Sequence, residues 1–171
     1  MAEFWICDGS VQSGSPCIVV KNRQTTLGDP PDPGVHQDPR AGTDNWVYVK
    51  VGMNGIFKTA TDKATLRLWV ARVAPEFVWS QLASKKPDQT WSNVSGNNVV
   101  EIGTLSIAMM LPQSGKQSWY EIRWVAAKVP PAGGTFQPCL LAVLDDGRGG
   151  SASVALDDRF ARRNISITTA K

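Results

Sequence analysis

The run Asn45-Trp-Val-Tyr-Val-Lys-Val-Gly52 alternates with a period of two: Val47, Val49 and Val51 fall on one face, Trp46, Tyr48 and Lys50 on the other. Side chains of an extended strand point alternately to its two faces, so this pattern describes a strand with one face in a core. Ala64-Thr-Leu-Arg-Leu-Trp-Val-Ala-Arg-Val73 repeats it, with Leu66, Leu68 and Val70 opposite Thr65, Arg67 and Trp69. Such strands must lay their apolar faces against a second layer, which commits the chain to a layered β fold.

Further runs have the same character. Cys17-Ile-Val-Val-Lys21 is a compact first strand. Val99–Ile102 and Leu105–Leu111 read as two short strands around Gly103. Ser118-Trp-Tyr-Glu-Ile-Arg-Trp-Val-Ala126 and Pro138-Cys-Leu-Leu-Ala-Val-Leu-Asp145 read as neighbours in the middle of an antiparallel sheet, with Pro130-Pro-Ala-Gly-Gly134 between them. Phe160–Thr168 closes the series, Ile165 and Ile167 sharing a face. Within the mixed segment Glu76–Asn98, Phe77-Val-Trp-Ser-Gln-Leu-Ala83 fits either a helical turn or two or a short edge strand. About eight short strands without a convincing long helix give an all-β, antiparallel β-sandwich, with an up-and-down barrel as the alternative.

Two stretches stand apart from this pattern. Residues 1–16 mix Phe4, Trp5 and Ile6 with Gly, Ser and Pro, and fit an N-terminal arm that docks on something or a short first strand. The second runs from Asn22 to about Thr43 and contains Asp29-Pro-Pro-Asp-Pro-Gly-Val-His-Gln-Asp-Pro39. Its prolines forbid regular hydrogen-bonded structure. A loop of this length is either functional or an extended cover on a sheet edge. The organisation that results is an arm over residues 1–16 and a single domain over residues 17–171.

Function classes are narrowed mostly by what is missing. A net charge of +3, with Arg159, Arg162 and Arg163 partly offset by Asp157 and Asp158, is too small an excess to suggest nucleic acid. No apolar run approaches the ~20 residues of a membrane helix. The start lacks the basic and apolar regions of a signal peptide. Localisation stays open between cytoplasmic synthesis with a place in a particle and a domain excised from an extracellular protein. Cys7, Cys17 and Cys139 are too few and too irregular for a disulfide framework or a zinc site.

The single histidine, His36, sits in the proline-rich loop without a Gly-x-Ser-x-Gly elbow, so it reads as a loop histidine rather than part of a triad. Asp145-Asp146 and Asp157-Asp158 read as turn acids, and no Gly-Lys-Ser/Thr follows Gly147-Arg-Gly-Gly150. Asn93-Val-Ser95 and Asn164-Ile-Ser166 match the glycosylation pattern, which has meaning only in a eukaryotic secretory protein. No catalytic residue, metal or cofactor is expected. Trp46, Tyr48, Trp69 and Trp119 lie opposite apolar partners on their strands, and would make an aromatic platform for carbohydrate or protein if their faces were uncovered.

From Asn45 onward the order of features resembles a bacterial immunoglobulin-like domain of the cell-adhesion-related, CARDB-like, type. The residues that carry the resemblance are Trp46-Val-Tyr-Val-Lys-Val, the Asn54-Gly55 turn, Thr65-Leu-Arg-Leu-Trp-Val, Ile102-Gly103, Ile122-Arg-Trp-Val, Cys139-Leu-Leu-Ala-Val-Leu-Asp145 and Ala161-Arg-Arg-Asn-Ile165. It spans roughly residues 45–168. It implies a seven- or eight-stranded sandwich without an active site, used for binding, spacing or assembly. In the antibody form cysteines of strands B and F bridge the sheets. The Val47–Val51 strand has none, which leaves a Cys17–Cys139 bridge as the open pairing. The expected function is a non-enzymatic protein–protein contact module, such as a decoration or assembly subunit, with Phe4, Trp5, Ile6 and the loop around His36 as its binding elements. The alternative is a carbohydrate-binding or adhesion module using Trp46, Tyr48 and Trp69.

Overall fold

The computed structural model describes residues 3–6, 16–29, 31–54, 63–71, 99–108, 117–125, 139–145 and 160–169. None of these is helical. In chain order the strands are β1 (Glu3–Ile6), β2 (Ile18–Lys21), β3 (Arg40–Ala41), β4 (Asp44–Asn54), β5 (Lys63–Ala71), β6 (Val99–Ala108), β7 (Gln117–Val125), β8 (Cys139–Asp145), β9 (Phe160–Asn164) and β10 (Thr168–Thr169).

The cleanly alternating strand β4 is the centre of the first sheet. Along one side it pairs with β7 from Asp44↔Val125 to Gly52↔Gln117. Along the other it carries two strands end to end, β1 against Val51–Asn54 and β2 against Trp46–Val49. At the join the Lys50 N–H donates to the Cys17 carbonyl at 2.9 Å, so the ladder passes from Ile6 directly to Cys17. Of the two readings of residues 1–16, Glu3–Ile6 therefore takes the strand form, and it belongs to the same sheet as β2. The second sheet has the order β6-β5-β8-β9, antiparallel throughout. A short parallel pair joins β10 to β3.

The two sheets face each other as in a β-sandwich. Ile6, Ile18, Val20, Val47, Val49, Val51, Ile122 and Trp124 come from the first; Leu66, Leu68, Val70, Ile107, Leu140, Ala142, Leu144 and Ala161 from the second. The alternation read in the sequence thus points its apolar parity inward in β4 and in β5. Part of the outward parity of the second sheet is covered as well: Trp69 is 2% exposed, and Cys139, Leu141 and Val143 are wholly buried, while Thr65 and Arg67 are half-buried and Thr104 and Ser106 exposed. A strand buried on both faces is apolar at every position, which is the composition of β8.

Several sequence expectations are corrected. Ser118–Ala126 and Pro138–Asp145 are not neighbours: β7 lies beside β4 at the edge of one sheet, and β8 lies between β5 and β9 in the other. Apolar runs state that a strand is buried, not which strand it pairs with, and the thirteen residues between β7 and β8 (126–138) are too many for a tight hairpin. Val99–Ala108 is one strand rather than two pieces. The register runs Leu68↔Gly103 and then Trp69↔Glu101, so Ile102 is the extra residue of a bulge. The closing strand stops at Asn164, with Ile165 buried in the core beyond it. A Cys17–Cys139 bridge does not form: Cys17 is disulfide-bonded, and Cys139 is not its partner.

Gly103 is required by packing. A Cβ there would stand 2.5 Å from Cγ2 of Ile122 in the facing sheet, closer than any relaxed contact. Gly103→Ala should therefore cost about 1–3 kcal/mol in the denaturation midpoint. Ile122→Leu, which moves the branch off Cβ, should recover part of that loss. A Gly103→Ala protein as stable as the parent would show that the two sheets do not approach this closely.

Candidate functional site

The proline-rich segment decides what the first sheet can present. An edge strand leaves a row of backbone groups with no strand to pair with. In β2 the Val20 carbonyl accepts from Gln37 N–H at 2.8 Å, and Val20 N–H donates to His36 Nδ1 at 3.1 Å. The Ile18 carbonyl accepts from Arg163 Nη1 at 2.9 Å. Just past the strand, Asn22 N–H donates to Gln37 Oε1 at 3.0 Å. Of the two readings of the loop, the part around His36 is a cover on a sheet edge.

The loop reaches this position through local turn chemistry. Gly34 adopts φ 77°, and its N–H donates to Asp32 Oδ1 at 2.8 Å, so a short polar side chain and a residue without Cβ make the bend together. Lys21 Nζ donates to the Val35 carbonyl at 3.1 Å, and Ser166 N–H donates to Asp38 Oδ1 at 3.0 Å. The far end is held by Asn45, a wholly buried polar residue. Its Oδ1 accepts from Arg40 N–H at 2.8 Å, and its Nδ2 donates to the carbonyls of Arg40 and Thr43, each at 3.0 Å. At the apex of the covered stretch Val35 is 83% exposed.

His36 is a structural acceptor in this arrangement. Burial, with the Arg163 guanidinium as second cause, pulls its pKa down to about 4; Asp38 opposes the shift and Lys21 adds weakly to it. The ring is neutral near pH 7, with Nδ1 taken by Val20, so its proton sits on Nε2. Asp38 Oδ1 stands 3.8 Å from Nε2, too far for a hydrogen bond, and with the ring neutral the two do not form an ion pair.

The residues before the loop lie over the outward face of the first sheet. Tyr48 is only 1% exposed: its hydroxyl accepts from Thr25 N–H at 2.9 Å and donates to Glu121 Oε2 at 2.8 Å. Glu121 Oε1 accepts from Gln24 Nε2 at 2.8 Å. Trp46 and Trp119 remain partly exposed on either side, about 13 Å apart by strand rise. Lys50 Nζ lies 5.6 Å from the Trp119 ring centroid, and Arg123 Nη2 donates to Asp44 Oδ2 at 2.6 Å.

The aromatic platform expected of Trp46, Tyr48 and Trp69 is therefore not assembled. Trp69 is buried in the other sheet, Tyr48 is covered, and only Trp46 of the three keeps surface. Ile6 is wholly buried in the core. The side chains of Phe4 and Trp5 lie outside the described residues, as do Asp146, Gly147–Gly150, Asp157, Asp158 and Asn93–Ser95. Among the described residues no group of three His, Cys, Asp and Glu stands together to hold a metal ion, and no helix is long and apolar enough to cross a membrane.

One feature that residue-by-residue sequence reading does not isolate is a groove of about 600 Å³ where β2 runs into the loop. It is lined by Lys21, Asn22, Arg23, Gln24, Thr25, Thr26, Gln37 and Arg40. The signal was present only as three cations spread over twenty residues; the fold brings them together. Comparison with protein-family models, curated proteins and solved structures finds no match to this chain.

Two measurements test these assignments. The depressed His36 pKa means that, between about 4 and 6.5, the unfolded chain binds a proton that the folded chain does not. Stability from this group is complete above pH 6.5 and is lost as pH falls toward 4. The linkage limit is about 3 kcal/mol, reduced to about 1–2 kcal/mol by solvent screening. His36→Asn, which keeps an acceptor near Nδ1, should flatten the stability profile in that window; an unchanged profile refutes the assignment. For the tyrosines, Tyr48→Phe loses both hydroxyl bonds and should cost about 1–2 kcal/mol. The Tyr120 hydroxyl is buried with no hydrogen-bond partner among the described residues, so Tyr120→Phe should be neutral or stabilising. Equal losses from the two substitutions would contradict the hydrogen-bond pattern.

Proposed function

We propose that this chain is a non-enzymatic, immunoglobulin-like module that makes protein–protein contacts as a subunit of a larger assembly, presenting its proline-rich loop to the partner. The strand order supports the immunoglobulin-like part. With β1 and β2 together as A, β4 as B, β5 as C, β6 as C′, β7 as E, β8 as F and β9 as G, the sheets have the orders A-B-E and C′-C-F-G. Such an interleaved order supports the immunoglobulin-like reading, which here goes without the inter-sheet cysteine pair of the antibody form.

One observation carries the functional reading: the loop is pinned and yet presents an apolar residue. Hydrogen bonds to Lys21, Val20 and Asn22 hold residues 35–37 against β2, and Val35 remains 83% exposed. A loop already held in place loses little further conformational entropy on binding, so a contact there retains more of its gross energy. An exposed valine rimmed by polar groups is a suitable small anchor. The only part of the carbohydrate reading with support is the pair Trp46 and Trp119, which are partly exposed on one face. Tyr48 and Trp69 do not contribute to it.

The native mass tests the assembly reading. Light scattering and native mass spectrometry should find the chain in a complex larger than one copy, either purified or in extract of its source. Val35→Asp should shift the population toward the monomer with an unchanged melting temperature. A monomeric parent chain under both conditions would refute the proposal. A saturable change in Trp fluorescence with a glycan panel, lost in Trp46→Ala, would favour the carbohydrate reading instead.

A further inference from the structure

The groove beside the loop is notable for its charge pattern. Three of its eight lining residues are cations, Lys21, Arg23 and Arg40, and none is an acid. Lys21 is engaged with the Val35 carbonyl. Arg23 and Arg40 are exposed, and neither guanidinium has a carboxylate partner among the described residues. Several acids of the surrounding segments are engaged in hydrogen bonds of their own. Asp32 accepts from Gly34, Asp38 from Ser166, Asp44 from Arg123, and Glu121 from Gln24 and Tyr48. Arg23 and Arg40 thus line, beside amides and hydroxyls, a groove to which no acid contributes.

We infer that this groove binds a carboxylate-bearing peptide segment of the partner, with Arg23 and Arg40 as the residues that hold it. The inference rests on the protein-contact reading and names the chemistry of the partner. Guanidinium is suited to this role because its planar donor fork matches a carboxylate with two parallel hydrogen bonds. Asn22, Gln24, Gln37, Thr25 and Thr26 can supply donors and acceptors to a peptide backbone. The adjacent Val35, 83% exposed, gives a flanking apolar side chain a place to rest. That apolar neighbour favours a peptide over an acidic sugar or a nucleic acid, which would use the charge but not the valine. A volume of about 600 Å³ accommodates a few residues of extended chain.

The test uses the intact chain and a fluorescein-labelled decapeptide of alternating glutamate and valine, read by anisotropy at two salt concentrations. Arg23→Gln and Arg40→Gln should each weaken binding about fivefold, as expected for exposed charge-assisted pairs. Val35→Asp should weaken it further. Arg123→Gln and Lys50→Gln remove the same charge from the first sheet, outside the groove, and should change affinity less than about twofold. Equal effects from all four arginine and lysine substitutions would mean that only the general field attracts the peptide, and would overturn the inference. Tighter binding of a heparin octasaccharide or a dT10 oligonucleotide would also overturn it, as would no binding of the peptide. If the peptide does not bind while the chain still assembles, only the groove inference is lost. If assembly is absent too, the contact reading is lost with it.

Discussion

The alternation in β4 is the constraint on which the rest of the structure depends. Its odd-numbered valines, Val47, Val49 and Val51, enter the core, while Trp46, Tyr48 and Lys50 face out. A slip of one residue against β7 or β2 would exchange these sets, expelling three valines and drawing a lysine inward. Register is therefore set at once for β1, β2 and β7, because all three pair with this one strand. The price is an outward face rich in aromatic and charged groups, and much of the remaining chain is arranged around that face.

The segment after β2 handles it in two ways. First, residues 24 and 25 engage the Tyr48–Glu121 pair, so that the hydroxyl and both carboxylate oxygens have partners. A buried polar network of this kind costs little when satisfied, and leaving one member unpaired costs more than the bond gained. Second, residues 36 and 37 take the open edge of β2, where an exposed row of N–H and C=O groups would invite another strand. Proline prevents the segment from becoming a strand itself, so it ends the sheet without extending it. Arg163 performs the same service for Ile18 from the other sheet, tying the edges of the two layers together.

Much of this was legible. The parity of β4 and β5 gives their inward faces residue by residue, and Ile122, Trp124, Leu140, Ala142 and Leu144 share that core. The bounds of β8 follow its apolar run closely. Partnership between strands was not legible, because apolar periodicity carries no address; β7 and β8 were therefore read as neighbours. Trp69 is more instructive. Parity alone puts it outward, but its cross-strand partner is Leu141, in a strand apolar at both parities. A strand apolar on both sides reports that both sides are covered, and its neighbours must share that environment. Read jointly, the two strands already argued against an exposed Trp69. His36 had no such signal: its role depends on a backbone group sixteen residues away.

The same reasoning bears on where function can reside. The interior of the sandwich is closed, the outward face is covered at Trp69, Leu141 and Val143, and the β2 edge is capped by the loop, so the described structure leaves little surface with distinctive chemistry. What remains is concentrated where the loop meets β2: an exposed valine, two arginines without carboxylate partners and a row of amides, all on backbone held by hydrogen bonds. Covering the sheet edge and presenting a surface are therefore not rival roles for the proline-rich segment. The hydrogen bonds that protect β2 are the ones that hold Val35 and the groove in place. A substitution that loosened the cover would expose a strand edge and disorder the presented surface together, which ties the stability of the fold to any recognition it performs.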